Sequence, residues 1–523
     1  MFKFVTSDIS VISSVIVALF FIHHRRSLAK RSKYPPGPPG YPLVGNVDDI
    51  PPHKAWYTFL EWSRQYGSDI IGLRTFGTNI VVINSLEAAT DLLHKRSSIY
   101  SDRPHLTMLY DLVGFDWTLA FTRYGDHWRD MRRAFHQEFN QAAVEKYREL
   151  QVKACHELLR KYASHPETFM EDIRHLAGRV IIGSAYGIEI KGKGNRYIEV
   201  GEVSLHALSA ASNAGSYMVD TLPFLKYLPE WFPGAGFRRE AKAWAPYVSA
   251  MLHEPYTYLK QQMEESCSNQ CAGTSLLDGM VTEAQDPVYM EHIVQRTLGS
   301  MYTGGTDTTV SALSFFMLAM VLYPEVQQKA RKELDMVLGT GALPDFRDRP
   351  SLPYIEAIVT ETLRWHPVVP LDVPHRLIAD DTYKEYFLPE GTIVVANSWA
   401  MLHNETIYPD PHTFNPDRFM KDGQLDPDVR DPAVAAFGFG RRICPGQALA
   451  SDTMWIVIAS ILASFDISPA EDRNGEKIIP AEDFYCNTFF VPSYMKPFRC
   501  QILPRSEEWR GIIDATAVND VMV

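Results

Sequence analysis

Residues 437–446 read Phe437-Gly438-Phe439-Gly440-Arg441-Arg442-Ile443-Cys444-Pro445-Gly446, and an apolar, helix-like run from Gln447 to Phe465 follows. A lone cysteine is most often a small buried hydrophobe, so the surroundings of Cys444 decide its chemistry. It stands where a loop meets a helix N-terminus. The free N–H groups and positive end of such a helix stabilise a thiolate. Gly440 permits a tight turn, and Gly446 lets the backbone approach a flat ligand. Arg442 supplies a charge suited to a carboxylate. Phe437 can pack against the sulfur and keep water away. Thiolate, flat ligand and carboxylate together describe haem, with Cys444 as the axial ligand of its iron.

A second polar cluster interrupts a long apolar stretch. Between Pro287 and Pro324 lie 36 residues without proline. As one helix they would run about 54 Å, enough to cross a large domain. At their middle stands Gly304-Gly305-Thr306-Asp307-Thr308-Thr309, a run of poor helix formers whose side chains compete for backbone hydrogen bonds. A helix opened locally there would place a groove beside a polar site. Two shorter helices joined by a Gly-Gly loop are the alternative. Helical periodicity dominates elsewhere: Gln137–Tyr162 and Pro324–Val337 read as amphipathic helices. Strand-like runs are few and short, at Ile70–Leu73, Asn79–Ile83 and Thr392–Ala396. The fold class is therefore mostly α with small β-sheets, in one large body.

Composition narrows the partners. The 523 residues carry 51 Lys+Arg against 63 Asp+Glu, a formal charge of −12. That balance argues against nucleic acid as a partner, because phosphate binding needs a basic surface. With 46% hydrophobic and 22% charged residues, most of the chain can bury a core. Six cysteines are too few for a disulfide framework and point to a reducing compartment. Cys267 and Cys271 lack a second Cys/His pair at zinc spacing, so exposed thiols in a polar loop are expected. No glycine cluster follows a strand in the way a dinucleotide site requires.

The first 44 residues read as a membrane attachment. Ile9–Ile22 is almost purely apolar, though as a helix it reaches only about 21 Å. Lys3 precedes it, whereas Arg25, Arg26, Lys30, Arg31 and Lys33 follow. That asymmetry keeps the C-terminal bulk cytoplasmic and is the reverse of a cleaved signal. Residues 1–33 are thus expected to be a single transmembrane anchor with a basic stop-transfer segment. Residues 34–44, rich in proline, should be a stiff extended hinge. The main domain spans 45–505, and 506–523 is expected to be a frayed tail. Leu222–Pro233 is unusually apolar for a loop broken by proline and is expected to dip into lipid.

These motifs together resemble the cytochrome P450 family of haem-thiolate monooxygenases, in its membrane-bound fungal form, over residues 35–504. The resemblance implies haem b (iron protoporphyrin IX) on Cys444, with Phe437, Gly440 and Gly446 shaping its loop. It makes Glu361 and Arg364 an E-x-x-R pair, joined by Arg418 in Phe414-Asn415-Pro416-Asp417-Arg418-Phe419, as a structural brace. Asp417 there replaces the usual glutamate. Trp128 and Arg132 match W-x-x-x-R, whose arginine binds a haem propionate. His375 and Arg442 are the further expected propionate contacts, with Arg376 an alternative to His375. Asp307 and Thr308 are the acid–alcohol pair that delivers protons during oxygen activation. Electrons are expected from NADPH through a separate NADPH–cytochrome P450 reductase, received near Arg441 and Arg442. The substrate is expected to be a lipophilic small molecule held by 103–121, 297–303, 368–373 and 484–491. Leu106, Met108, Leu109, Leu112, Val113, Phe115, Val369, Leu371, Phe489 and Phe490 supply apolar side chains there. Secondary metabolites or polycyclic aromatic and steroid xenobiotics fit, at the endoplasmic reticulum membrane. A haem-thiolate isomerase or peroxygenase, and a haem sensor without turnover, are the rival readings.

Overall fold

The computed structural model describes residues 33–522 apart from 193, 214, 281–285, 340, 483 and 486–492. The expected anchor, and Phe489 and Phe490, lie outside the described residues. Ten principal helices make up most of the body: α1 (Asp126–Phe139), α2 (Arg148–Ser164), α3 (Phe169–Tyr186), α4 (Arg196–Ser212), α5 (Gly236–Glu264), α6 (Pro287–Leu322), α7 (Pro324–Leu338), α8 (Pro353–Trp365), α9 (Gln447–Ser464) and α10 (Glu507–Met522). Four strands, β1 (Ile70–Thr75), β2 (Thr78–Ile83), β3 (His375–Arg376) and β4 (Ile393–Ala396), form a sheet in the order β1-β2-β4-β3. β1 and β2 are an antiparallel hairpin, Val82 pairs with Val395 in parallel, and His375 pairs with Val394. That last pairing fixes the backbone of His375.

The proline-free stretch is a single helix. Asp286 accepts a hydrogen bond from the Val288 N–H at 3.0 Å, Pro287 opens the first turn, and Pro324 lies just past the end. Neither local opening nor a break occurs at Gly304–Thr309; the helix runs through. The hydroxyls that compete with the backbone instead donate to carbonyls one turn back, Thr306 to Tyr302 and Thr308 to Gly304, both at 2.7 Å. Those bonds leave the helical ladder in place. α6 and α9 are long and apolar enough to cross a bilayer, but 83% and 78% of their apolar windows are buried. Their composition is that of core helices.

Several expectations need correction. The amphipathic pattern of Gln137–Tyr162 is split, because the Asn140 side chain accepts from the Ala142 and Ala143 N–H groups and starts a 3₁₀ turn before α2. The proline-rich hinge is extended but is no free spacer. The Gly72 N–H donates to the Pro36 carbonyl at 2.8 Å, and the Tyr34 hydroxyl reaches Ile80 at 3.0 Å. The C-terminal tail is the ordered helix α10, with Trp509 and Ile513 buried and Arg160 bonded to Thr516 at 2.5 Å. Cys267 is exposed as expected, but Cys271 is buried and accepts from the Thr274 N–H.

The two glycines at the middle of α6 do different work. A Cβ on Gly305 would lie 2.5 Å from Ile181 Cγ1, where α6 packs on α3, whereas one on Gly304 would meet nothing within 4 Å. Gly305→Ala is therefore expected to cost about 1–3 kcal/mol. Gly304→Ala should be neutral or stabilise by up to about 1 kcal/mol through helix propensity. Thermal unfolding of the two variants measures the difference.

Candidate active site

The cysteine loop is built by short local bonds. The Cys444 N–H donates to the Phe437 carbonyl at 2.8 Å, and Gly440–Arg442 form one 3₁₀ turn. Gly440 has φ 55°, and any side chain there would overlap the Leu93 carbonyl. Its glycine is needed for the close approach of a neighbouring segment as well as for the turn. Gly446 precedes α9, and a Cβ on it would find only Cys444 Sγ, 3.9 Å away. The sulfur lies deep among protein atoms and faces a cavity. Burial pushes the Cys444 thiol up, opposed by the Gly446 N–H, the Arg132 charge and the Gln447 N–H. The helix start and the arginine thus favour a thiolate, and burial opposes it.

α1 presents Trp128, Arg132, Phe135 and Phe139 to this cavity, at i, i+4, i+7 and i+11 along one helical face. Arg132 donates to the Ile443 carbonyl at 2.6 Å, which ties α1 to the cysteine loop. Arg442 is buried and does not form part of an exposed basic surface; only Arg441 of that pair is exposed. The Arg442 guanidinium donates to the carbonyls of Ser101, Leu119 and Thr122 and lies over the Trp128 ring. His375 is buried and its Nδ1 lies 2.8 Å from the Tyr100 carbonyl, but it is not on the cavity wall. Burial and the Arg103 charge hold its imidazole well below the usual range. Arg376 pairs with Asp102 at 3.7 Å, away from the cavity.

Above the sulfur side, α6 contributes Ser300, Met301, Thr303, Gly304, Asp307 and Thr308 to the same cavity. Asp307 is buried. The wall is otherwise mostly apolar, with Val180 and Ile181 from α3, Leu205 and Leu208 from α4, and Val368, Val369 and Val373. Of the side chains expected against substrate, Val369 lines the cavity, whereas Met108, Leu109, Val113, Phe115 and Leu371 pack in the core. Two charges on the wall, Arg103 and Asp372, fall in the 103–121 and 368–373 segments expected against substrate but were given no individual role there. Arg103 is buried and donates to the carbonyls of Ala120, Val373 and Pro374, and burial pushes it down to about 10. A charged residue flanking an otherwise apolar stretch was the available signal.

The fit of this cavity to haem rests on its polar atoms. Trp128 Nε1, on the wall, is buried without a hydrogen-bond partner; His375 Nε2 is also unpaired, but that residue is not on the wall. Unpaired buried groups are costly, and a carboxylate at the edge of a flat group would satisfy the Trp128 N–H. The guanidinium groups of Arg132 and Arg442, and the thiol of Cys444, suit the same group.

α8 holds the brace. Glu361 and Arg364 are fully buried and bidentate, at 2.6 and 2.8 Å, and Arg418 Nε reaches the same carboxylate at 3.2 Å. The Asn415 N–H adds a bond at 2.7 Å. Arg364 also donates to the Leu402, Pro411 and Thr413 carbonyls, so the carboxylate fixes the segment that leads to the cysteine loop. Asp417 points elsewhere and pairs with Lys329.

Fold and site define a haem-thiolate enzyme class, and comparison with known proteins agrees. The family model described as Cytochrome P450 matches residues 35–488; the chain belongs to that family. It is 41% identical over 512 residues to Cytochrome P450 monooxygenase 98 of Postia placenta, covering 98% of each chain. It is 41% identical over 507 residues to Tryptamine 4-monooxygenase of Psilocybe cyanescens, covering 96% of this chain and 98% of that one. The protein is a cytochrome P450 monooxygenase, and its family implies a haem iron and electrons from a redox partner.

Glu361→Gln would leave two buried guanidinium groups without their counter-charge. A loss of about 3–5 kcal/mol is expected, measured by denaturant unfolding.

Proposed function

We propose that this monooxygenase hydroxylates lipophilic small molecules, with electrons from NADPH through a separate reductase. The observation that carries the reading is that Cys444 and the Asp307–Thr308 pair line one largely apolar cavity. Apolar walls with few polar groups suit a lipophilic ligand. The relative named for tryptamine oxidation supports indoles among the candidate substrates, beside other secondary metabolites and polycyclic xenobiotics.

Cys444 would hold haem b through its sulfur, with Phe437, Gly440 and Gly446 shaping the loop. Arg132, Arg442 and Trp128, which line the cavity, would meet its carboxylates. When bound, haem supplies an iron centre that activates dioxygen, with the thiolate favouring O–O cleavage. The remaining steps belong to the protein. The Thr308 hydroxyl spends its proton on the Gly304 carbonyl, which leaves its oxygen as an acceptor for a protonated group in the cavity. Asp307, one residue away, can hold a proton and exchange it through water. Glu361, Arg364 and Arg418 brace the fold and touch no reactant.

Residues 1–33 would anchor the chain in the endoplasmic reticulum membrane with the main domain cytoplasmic. Phe224, Tyr227 and Trp231 are 65%, 77% and 79% exposed on the Leu222–Pro233 loop, which supports contact with lipid there. Arg441 would contribute to the reductase surface.

The purified ferrous protein under carbon monoxide is expected to show the family's band near 450 nm. Cys444→Ala should abolish it. Thr308→Ala should keep the band while product formed per NADPH falls by roughly tenfold to a hundredfold. Retention of activity by Cys444→Ala would refute the reading.

A further inference from the structure

Three guanidinium groups, those of Arg103, Arg132 and Arg442, line the cavity. A haem brings two carboxylates, one fewer. The described acidic residues on the same wall are Asp307, on α6, and Asp372. Asp372 belongs to the sulfur side. A Cβ on Gly438, in the cysteine loop, would lie 3.3 and 3.4 Å from the two Asp372 oxygens, so glycine there leaves room for the carboxyl group.

The backbone goes to some trouble to place this group. Asp372 has φ 53°, a left-handed conformation that is unfavourable for a non-glycine residue. A turn from the Asp372 N–H to the Val369 carbonyl and a 2.7 Å bond from the Val373 N–H to Oδ1 hold it there. Oδ2 is buried with no hydrogen-bond partner. A buried carboxyl oxygen without a donor is expensive unless a nearby charge compensates it. The charge that acts on it is Arg103, which bonds to the neighbouring Val373 and Pro374 carbonyls and whose carbonyl partners carry only partial charge.

We propose that Asp372 is a third carboxylate at the cofactor's acidic edge, balancing Arg103 so that three arginines face three carboxylates. This rests on the haem reading above. Asp372 is then a positioning residue that sets the charge around the iron, and it contacts no substrate. Its negative charge disfavours the reduced, more negative state of the iron, so removing it favours reduction.

The test is the midpoint potential of the haem in the full-length holoprotein, by spectroscopic redox titration of wild type and Asp372→Asn. Asparagine keeps the shape and tolerates a left-handed backbone. A positive shift is expected, equivalent to a change of roughly threefold to tenfold in the ferric-to-ferrous ratio at fixed solution potential. Asp372→Gly, which also suits the backbone, should shift the same way and covers the case in which the asparagine variant does not fold. Unchanged potentials in a wild type and variants that all keep the 450 nm band would overturn this proposal alone. Absence of that band from the haem-supplied wild type would overturn the haem reading and this proposal together.

Discussion

A carboxylate with no exposed surface, Glu361, governs the order of this structure around the cavity. Buried charge is tolerated only when it is paired and hydrogen-bonded. Here both oxygens are used, by Arg364, by Arg418 and by the Asn415 N–H. Each arginine then spends its remaining donors on backbone carbonyls between Leu402 and Thr413. One charge cluster therefore fixes α8 against the long irregular segment that precedes Cys444. Irregular backbone has no ladder of its own to hold it, and the arginines supply what a helix or sheet would have supplied.

α8 serves two faces at once. Glu361 and Arg364 point into the brace, while Leu363 between them lines the cavity. The brace and the apolar wall are consequently rigid with respect to each other. On the opposite side α6 is held by α3, where Gly305 allows Ile181 to sit against the helix backbone. The acid–alcohol pair and the sulfur thus come from different supports, which also touch directly, as where Phe315 of α6 stacks on His366 just past α8.

Much of this was legible in the sequence, for identifiable reasons. Cys444, Gly440 and Arg442 lie within five residues, so their association depends on local turns rather than on tertiary packing. The long helix was legible because proline at both ends and none between leaves few other conformations. Its behaviour at Gly304–Thr309 was not, because propensity is decided there by packing on α3 and by hydroxyl bonds one turn back. The split after Asn140 was hidden because an amphipathic pattern survives a capped 3₁₀ turn. α10 was missed because Arg510 and Thr516 find their partners, Ala163 and Arg160, on α2, more than 340 residues earlier. Arg103 and Asp372 were overlooked as charges because burial on a cavity wall is a tertiary property.

The arginines around the cavity share a mode of fixation with consequences for the sulfur. Arg103, Arg132 and Arg442 bond mainly to backbone carbonyls, and a carbonyl dipole orients a guanidinium without cancelling its charge. The cavity floor consequently keeps a positive field. Arg132 makes the point most directly: its bond goes to Ile443, the residue next to Cys444, and its charge lowers the thiol against the effect of burial. Beside the sulfur, that field favours a thiolate. The same arginines whose donors order the backbone therefore also set the electrostatics of the cavity.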